Sequence, residues 1–142
     1  MNKSFHLFLF FILTSSLFLL GCQEEVVSSA VLLEIPFIQF QKIYQEQPSL
    51  SILDVRTPFE YQLEHAPQAF LLPLQELNEN PQQAIEKIPF SKEEPLYVIC
   101  RSGNRSYHAV KILQELGFKK ALSVKGGMIL YQQAKLPIKQ GF

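Results

Sequence analysis

Short apolar runs alternate with segments of helical spacing along most of this chain, and that alternation constrains the fold more than any other feature. Residues 49–55 (SLSILDV) and 95–100 (PLYVIC) are apolar runs typical of strands that are buried on both faces. Residues 69–73 (AFLLP) and 120–126 (KALSVKG) are weaker strand candidates. Strands that alternate with helices indicate a parallel sheet covered by helices on both faces.

Segments with helical spacing lie between these runs, at residues 36–47, 81–88 and 106–116. The last of them carries an apolar stripe at Ala109, Ile112, Leu113 and Leu116, which ends at Gly117. A chain of 142 residues with 47% hydrophobic residues can build one core but hardly two. We therefore expect an α/β fold of three layers, with a mainly parallel sheet of about five strands.

The charge distribution favours local rather than global recognition. Thirteen basic and thirteen acidic residues balance, so the net charge indicates no nucleic-acid partner and no attraction to an anionic membrane surface. The scarce residues Asp54, Arg56, Arg101 and Arg105 fall in two short clusters, LDVR and CRSGNR. Asp54 and Cys100 each end a predicted central strand, and ligands of parallel sheets bind at that edge.

The cluster that begins at Cys100 has the features of a reactive thiol. Only a tight loop fits between the strand and the following helix, and Gly103 and Asn104 tolerate positive φ. Backbone N–H groups, the helix N-terminus and the guanidinium groups of Arg101 and Arg105 favour a thiolate at this point. The alternatives are a buried structural cysteine at Cys100 and a solvated surface residue at Arg101.

The segment CRSGNRS resembles the active-site loop of the rhodanese family of sulfurtransferases. The resemblance implies that Cys100 accepts a sulfane sulfur and becomes a persulfide. It also implies a substrate-binding loop formed by Arg101, Ser102, Gly103, Asn104 and Arg105. The related dual-specificity phosphatases have one more residue between cysteine and arginine, so the four residues here suit a persulfide sulfur better than a phosphate.

Residues 53–69 (LDVRTPFEYQLEHAPQA) resemble a second signature of that family. Thr57 and Glu60 are placed for a capping box at the start of a short helix, with Pro58 at its first position. We expect Arg56 to pair with Asp54 or Glu60, so that Asp54 and Arg56 support the loop and take no part in the chemistry.

Two further segments resemble the family less closely. The family's turn usually reads Gly-His-Ile-Pro-Gly-Ala, whereas this chain reads EHAPQA and lacks both glycines; His65 is interpreted as structural. The closing segment SVKGGMILYQQAKLP has Tyr131 where tryptophan is common. There Gly126 and Gly127 would let the chain turn close to the Cys100 loop.

The first 22 residues predict a targeting segment. Lys3 is followed by an apolar run from Leu7 to Leu20, which is too short to span a membrane and typical of a signal peptide. The ending LLGC resembles the lipobox of bacterial lipoproteins, which implies that Cys22 is lipidated after cleavage. An ordinary cleaved signal and an uncleaved N-terminal anchor are the alternatives. The predicted organisation is a signal peptide at 1–21, a tether at 22–31 and a rhodanese-like domain at 32–142.

These expectations combine into a sulfurtransferase held by a lipid anchor in the bacterial cell envelope. It would move sulfur from thiosulfate or a similar donor to cyanide or a thiol, with a protein acceptor left open. No metal or organic cofactor is expected. A tethered carrier or sensing module with little turnover is the alternative, and a phosphatase or arsenate reductase is disfavoured by the loop length.

Overall fold

The computed structural model describes residues 32–142. Strands and helices alternate along this part of the chain, in the order β1 (Glu34–Ile35), α1 (Phe37–Glu46), β2 (Ile52–Asp54), α2 (Pro58–Leu63), β3 (Ala69–Leu71), α3 (Leu74–Glu79), α4 (Pro81–Glu86), β4 (Leu96–Ile99), α5 (Asn104–Glu115), β5 (Ala121–Val124) and α6 (Gly127–Gln133). No helix among these residues is long and apolar enough to cross a membrane. The predicted signal peptide, Cys22 and the tether lie outside the described residues.

The five strands form one sheet in the order β1-β5-β4-β2-β3, and every neighbouring pair is parallel. In the register of β2 and β4, Asp54 is the Cα partner of Ile99. Cys100 therefore follows β4 at the edge where β2 ends, as the sequence predicts. The expected α/β class and the five-stranded parallel sheet are confirmed.

Helices cover both faces of the sheet because successive strand residues point to opposite sides. One apolar core joins Leu53 and Val98 of the sheet to α3, α4 and α5. The other joins Ile52 and Ile99 to α1, α2 and α6, and it buries Tyr131 completely. The three-layer arrangement thus fixes β2 and β4 from both sides and leaves their carboxyl ends to carry loops.

The elements differ from the sequence-based expectations mainly at their ends. The strands are shorter than the apolar runs, since the flanking residues belong to loops. In α5 the buried stripe includes Val110 and Gln114, while Leu116 is only half-buried. The sequence patterns did not identify β1, whose two residues are too few to display a periodicity, and they did not identify α3.

Candidate functional site

Cys100 lies at the carboxyl edge of the sheet, between the end of β4 and the start of α5. The residue is 1% exposed, and its Sγ accepts a hydrogen bond from the backbone N–H of Gly103 at 3.1 Å. Gly103 is the N-cap of α5 and has a φ of 109°, a left-handed conformation that a residue with a Cβ adopts only at a cost. The tight loop predicted from Gly103 is therefore present.

The carbonyl groups of the loop are held by the N-terminal end of α6. The N–H groups of Gly126, Met128 and Ile129 donate to the carbonyl oxygens of Ser102, Cys100 and Arg101 at 3.2, 2.8 and 3.1 Å. In a trans peptide the N–H points opposite to the C=O. The carbonyl groups turned towards α6 thus leave the N–H groups of these peptides pointing away from α6, and the N–H of Gly103 reaches Sγ.

Gly127 makes this contact between loop and helix possible. A Cβ on Gly127 would lie 2.2 Å from the carbonyl oxygen of Cys100 and 2.8 Å from that of Arg101. The predicted approach of the two glycines to the Cys100 loop is seen, and it is closest at Gly127. Any larger residue there would push the loop away from α6.

Two buried serines contact the thiol from the protein interior. Ser106 Oγ lies 3.4 Å from Cys100 Sγ, 2.9 Å from the carbonyl oxygen of Gly103 and 2.8 Å from Ser123 Oγ. Ser123 Oγ in turn lies 3.3 Å from the same carbonyl oxygen. When the Ser123 hydroxyl donates to Gly103, the Ser106 hydroxyl is free to donate to a charged sulfur. The pair thus adds a hydroxyl donor to the N–H of Gly103.

Arg105 is held by Glu60 of α2. Its Nη1 and Nη2 donate to Oε2 and Oε1 of Glu60, both at 2.7 Å. Glu60 also completes the predicted capping box, because it accepts from the backbone N–H and the hydroxyl of Thr57. These hydrogen bonds, the one from Arg105 above all, lower the pKa of Glu60 to about 2, against a smaller opposing effect of burial. The same pairing raises the pKa of Arg105.

The ion pair changes how the charge of the loop is distributed. Because Glu60 neutralises Arg105, Arg101 carries the loop's excess positive charge. Its side chain is exposed, and no carboxylate of residues 32–142 forms an ion pair with it. Ser102 and Asn104 are also exposed on the same loop.

Asp54 and Arg56 form a buried pair beside the loop. Arg56 donates through its Nε and Nη2 to the Asp54 carboxylate at distances of 2.6 to 3.0 Å, and Nη2 also donates to the carbonyl oxygen of Glu64 at 2.7 Å. Of the two partners expected for Arg56, it pairs with Asp54. His65 is buried, stacks on Tyr61 and contacts the Tyr61 carbonyl through Nδ1, which is the structural role expected for it.

Sequence reasoning missed Ser106, Ser123 and the pairing of Glu60 with Arg105. Ser106 follows the loop motif directly, and Ser123 is a hydroxyl residue inside an apolar strand, so an unexplained buried polar residue was the available signal. Within the part of the chain that the structure describes, no cluster of His, Cys, Asp and Glu could hold a metal ion. The N–H of Gly103 and the hydroxyl of Ser106 can both donate to a charged sulfur at Cys100, which is the setting of a nucleophilic thiol.

Comparison with known protein families agrees with this geometry. Residues 39–134 match the sequence model described as the Rhodanese-like domain. The chain is 34% identical over 93 residues to the thiosulfate sulfurtransferase GlpE of Vibrio cholerae, which covers 66% of this chain and 82% of GlpE. It is 31% identical over 108 residues to YrkF of Bacillus subtilis, a proposed sulfur carrier protein, covering 76% of this chain and 55% of YrkF. The chain thus spans about half the length of some curated relatives that it matches.

Two solved structures illustrate the similarity of the fold. A rhodanese-related protein from Thermoplasma volcanium superposes with a TM-score of 0.61 at 27% identity, over 75% of this chain and 97% of that protein. A rhodanese-like domain protein from Staphylococcus aureus gives a TM-score of 0.57 at 30% identity, over 69% of this chain and 89% of the other.

Proposed function

This chain belongs to the rhodanese-like domain family, and on that premise we propose that it is a sulfurtransferase that moves a sulfane sulfur through a persulfide on Cys100. The observation that carries the proposal is the loop itself. A buried sulfur accepts a hydrogen bond from Gly103 N–H, while α6 holds the carbonyl groups of the loop on the other side. Such a loop is suited to bind an anionic sulfur.

The reaction has two transfers. The Cys100 thiolate attacks the outer sulfur of thiosulfate or a similar donor; a new S–S bond forms, the old one breaks, and sulfite or the corresponding product leaves with the electron pair. Cyanide or a thiolate then attacks the outer sulfur of the persulfide, and Cys100 leaves as a thiolate. Neither transfer requires proton abstraction by a side chain. This agrees with the structure, since the Asp54 carboxylate is already paired with Arg56.

Positive charge at the loop supports an anionic donor. Arg101 is exposed next to Cys100 and free of ion pairs within residues 32–142, so it is the side chain proposed to attract thiosulfate. Ser102, Gly103 and Asn104 contribute backbone N–H groups to the persulfide. Arg105, bound to Glu60, is proposed to fix the start of α5 and to add partly compensated charge at the rim.

Sulfur uptake tests the proposal directly. After incubation with thiosulfate and removal of excess donor, the intact mass of the protein should rise by one sulfur atom, and Cys100→Ser should abolish the gain. Cys22→Ser is the matched control and should retain it. If the wild-type protein takes up no sulfur, the sulfurtransferase proposal is wrong.

A second candidate is a sulfur carrier with little turnover, which the similarity to YrkF favours. A carrier would take up sulfur in the mass experiment and then release it slowly to cyanide. Continuous thiocyanate formation from thiosulfate and cyanide would establish the enzyme, whereas a single stoichiometric burst would establish the carrier.

We also propose that the protein is lipid-anchored in a bacterial cell envelope, with residues 1–21 as signal peptide, 22–31 as tether and 32–142 as domain. The support is the sequence alone: the short apolar run, the LLGC ending and Cys22. With two or three acyl chains on Cys22 the anchoring would be stable, at about 0.8 kcal/mol per buried CH₂ group.

A further inference from the structure

Two apolar side chains stand exposed beside the Cys100 loop. Leu63 of α2 is 54% exposed and Ile129 of α6 is 40% exposed. We call these two residues the apolar rim.

The rim is continuous with the proposed active site. Leu63 and Ile129 line a cavity of about 240 Å³ together with Arg101, the residue next to Cys100. The backbone N–H of Ile129 donates to the carbonyl oxygen of Arg101, so Ile129 is fixed against the loop. Glu60 of the same cavity binds Arg105, the last residue of the loop motif. A molecule that reaches this loop along the cavity therefore passes the rim.

Charge and size indicate the class of molecule that fits. The cavity is lined by both signs of charge, Arg101 and Arg56 against Glu60 and Glu64, so net charge does not select its occupant. Its volume is below that of a typical small-molecule pocket, about 300 to 1,000 Å³, and matches a part of a larger molecule. Cyanide and thiosulfate are small ions that carry no apolar group to pack on Leu63 or Ile129.

We propose that the apolar rim binds a sulfur acceptor whose thiol is a cysteine flanked by apolar residues on a protein. This inference rests on the proposed sulfur transfer through Cys100. The apolar neighbours of that cysteine pack on Leu63 and Ile129, and its thiolate is thereby held at the mouth of the loop. It attacks the outer sulfur of the persulfide; the bond to Cys100 Sγ breaks, Cys100 leaves as a thiolate, and the acceptor carries the sulfur as a new persulfide.

Two synthetic peptides test the rim. One is acetyl-Ser-Leu-Cys-Phe-Ser-amide and the other is acetyl-Ser-Ser-Cys-Ser-Ser-amide; they differ only beside the cysteine. The full-length protein is loaded with thiosulfate, freed of excess donor and mixed with each peptide, and loss of the sulfur from Cys100 is followed by intact mass. Glutathione persulfide, which has no rim, gives the intrinsic reactivity of each peptide for correction.

The apolar peptide should remove the sulfur about tenfold faster than the serine peptide, since its two apolar side chains are removed from water on the rim. In Leu63→Ser and in Ile129→Ser the ratio of the two rates should fall towards one. Leu32→Ser is the matched control and should keep the ratio. Leu32 is an exposed leucine that precedes β1, at the amino ends of the strands and away from the Cys100 loop. Because each ratio is taken within one variant, a general change in persulfide reactivity cancels.

The outcomes separate this inference from the proposed function. If sulfur is loaded and both peptides remove it at equal corrected rates, or if the preference survives in both serine variants, the apolar rim is not an acceptor site while sulfur transfer stands. If no sulfur is loaded on Cys100, the proposed function fails and the inference fails with it.

Discussion

At the scale of single residues, the ion pair between Glu60 and Arg105 joins two motifs that are 45 residues apart. Glu60 caps α2 through Thr57 and at the same time fixes the first turn of α5 through Arg105. One carboxylate therefore couples the DVR segment to the Cys100 loop. The coupling requires the charged form of Glu60, which makes it dependent on pH.

Glu60→Gln should destabilise the protein by about 1 to 2 kcal/mol at neutral pH, a value reduced for the partial exposure of the pair to solvent. The pKa of Glu60 in the folded state is about 2, below its ordinary value of 4.5. The Glu60 carboxylate therefore stabilises the fold fully at pH values above its ordinary pKa. This stabilisation is lost as the pH falls towards the pKa of Glu60 in the folded protein. The difference in unfolding free energy between wild type and Glu60→Gln should shrink between about pH 4.5 and pH 2.

Urea denaturation of both proteins across this range measures that difference. Glu86→Gln, a change of an exposed carboxylate on α4, is the control and should cost little at any pH. A cost for Glu60→Gln that stays constant from neutral to acid pH would contradict the ion-pair explanation.

The sequence predicted only half of the role of Glu60. The spacing from Thr57 to Glu60 is local, so the capping box could be recognised from the residues alone. The contact with Arg105 depends on how α2 and the start of α5, which cover opposite faces of the sheet, approach each other at its carboxyl edge, and no local pattern encodes this. For the same reason Ser123 was missed, because its partner Ser106 belongs to a different element.

At the scale of elements, the junction of β5 and α6 supports the whole loop. The turn at Gly126 and Gly127 brings the N–H groups at the start of α6 onto the carbonyl groups of residues 100–102. The first N–H groups of a helix have no partner within the helix, so the loop and the helix each satisfy groups that the other leaves free. This mutual arrangement needs a residue without a Cβ at Gly127.

Gly127→Ala should destabilise the protein by about 2 to 4 kcal/mol and abolish sulfur uptake. The new Cβ would meet the carbonyl oxygen of Cys100 at 2.2 Å, and the residue has a φ of 50°. The left-handed conformation alone costs about 1 kcal/mol, and forced displacement of packed backbone adds about 1 to 3 kcal/mol. Thermal unfolding and the intact-mass assay measure the two effects.

Gly141→Ala separates the cost of the left-handed backbone conformation from the cost of the collision between the Cβ and the loop. Gly141 also has a positive φ, 83°, but a Cβ there would meet no atom within 4 Å. We expect it to cost no more than about 1 kcal/mol and to leave sulfur uptake intact. Equal costs for the two alanine variants would mean that the contact between loop and helix contributes nothing.

The sequence also specified the central strands better than the outer elements. β2 and β4 are buried on both faces, so their apolar runs are uninterrupted and easily recognised. β1 has two residues at the sheet edge and gains its identity only by pairing with β5. Strand identity at that edge is decided by tertiary pairing, which a single sequence does not display.

At the scale of the whole molecule, the chain enters the sheet at one end of the strands and carries Cys100 at the other. Glu34 of β1 and Val98 of β4 both pair with Ser123, so they lie at the same level of the sheet. Leu32 lies two residues before that level and Cys100 two residues after it, which separates them by about 13 Å along the strands. The chain therefore enters the domain on the side away from the reactive thiol.

This separation bears on the proposed lipid anchor. A tether from residue 22 to residue 31 reaches at most about 35 Å when fully extended. An anchor at Cys22 would then be joined to the domain at the end of the sheet opposite the Cys100 loop. Lipidation and sulfur uptake should accordingly be independent of each other.

Labelling with radioactive palmitate in a bacterial host tests the anchor. Wild-type protein should incorporate the label and Cys22→Ala should not, because lipidation requires the thiol of residue 22. Cys100→Ala is the matched control: it removes the other cysteine and should keep the label, while Cys22→Ala should keep the sulfur uptake that Cys100→Ala loses. Label that persists in Cys22→Ala, or that is absent from wild type, would show that the N-terminal segment is not a lipoprotein signal.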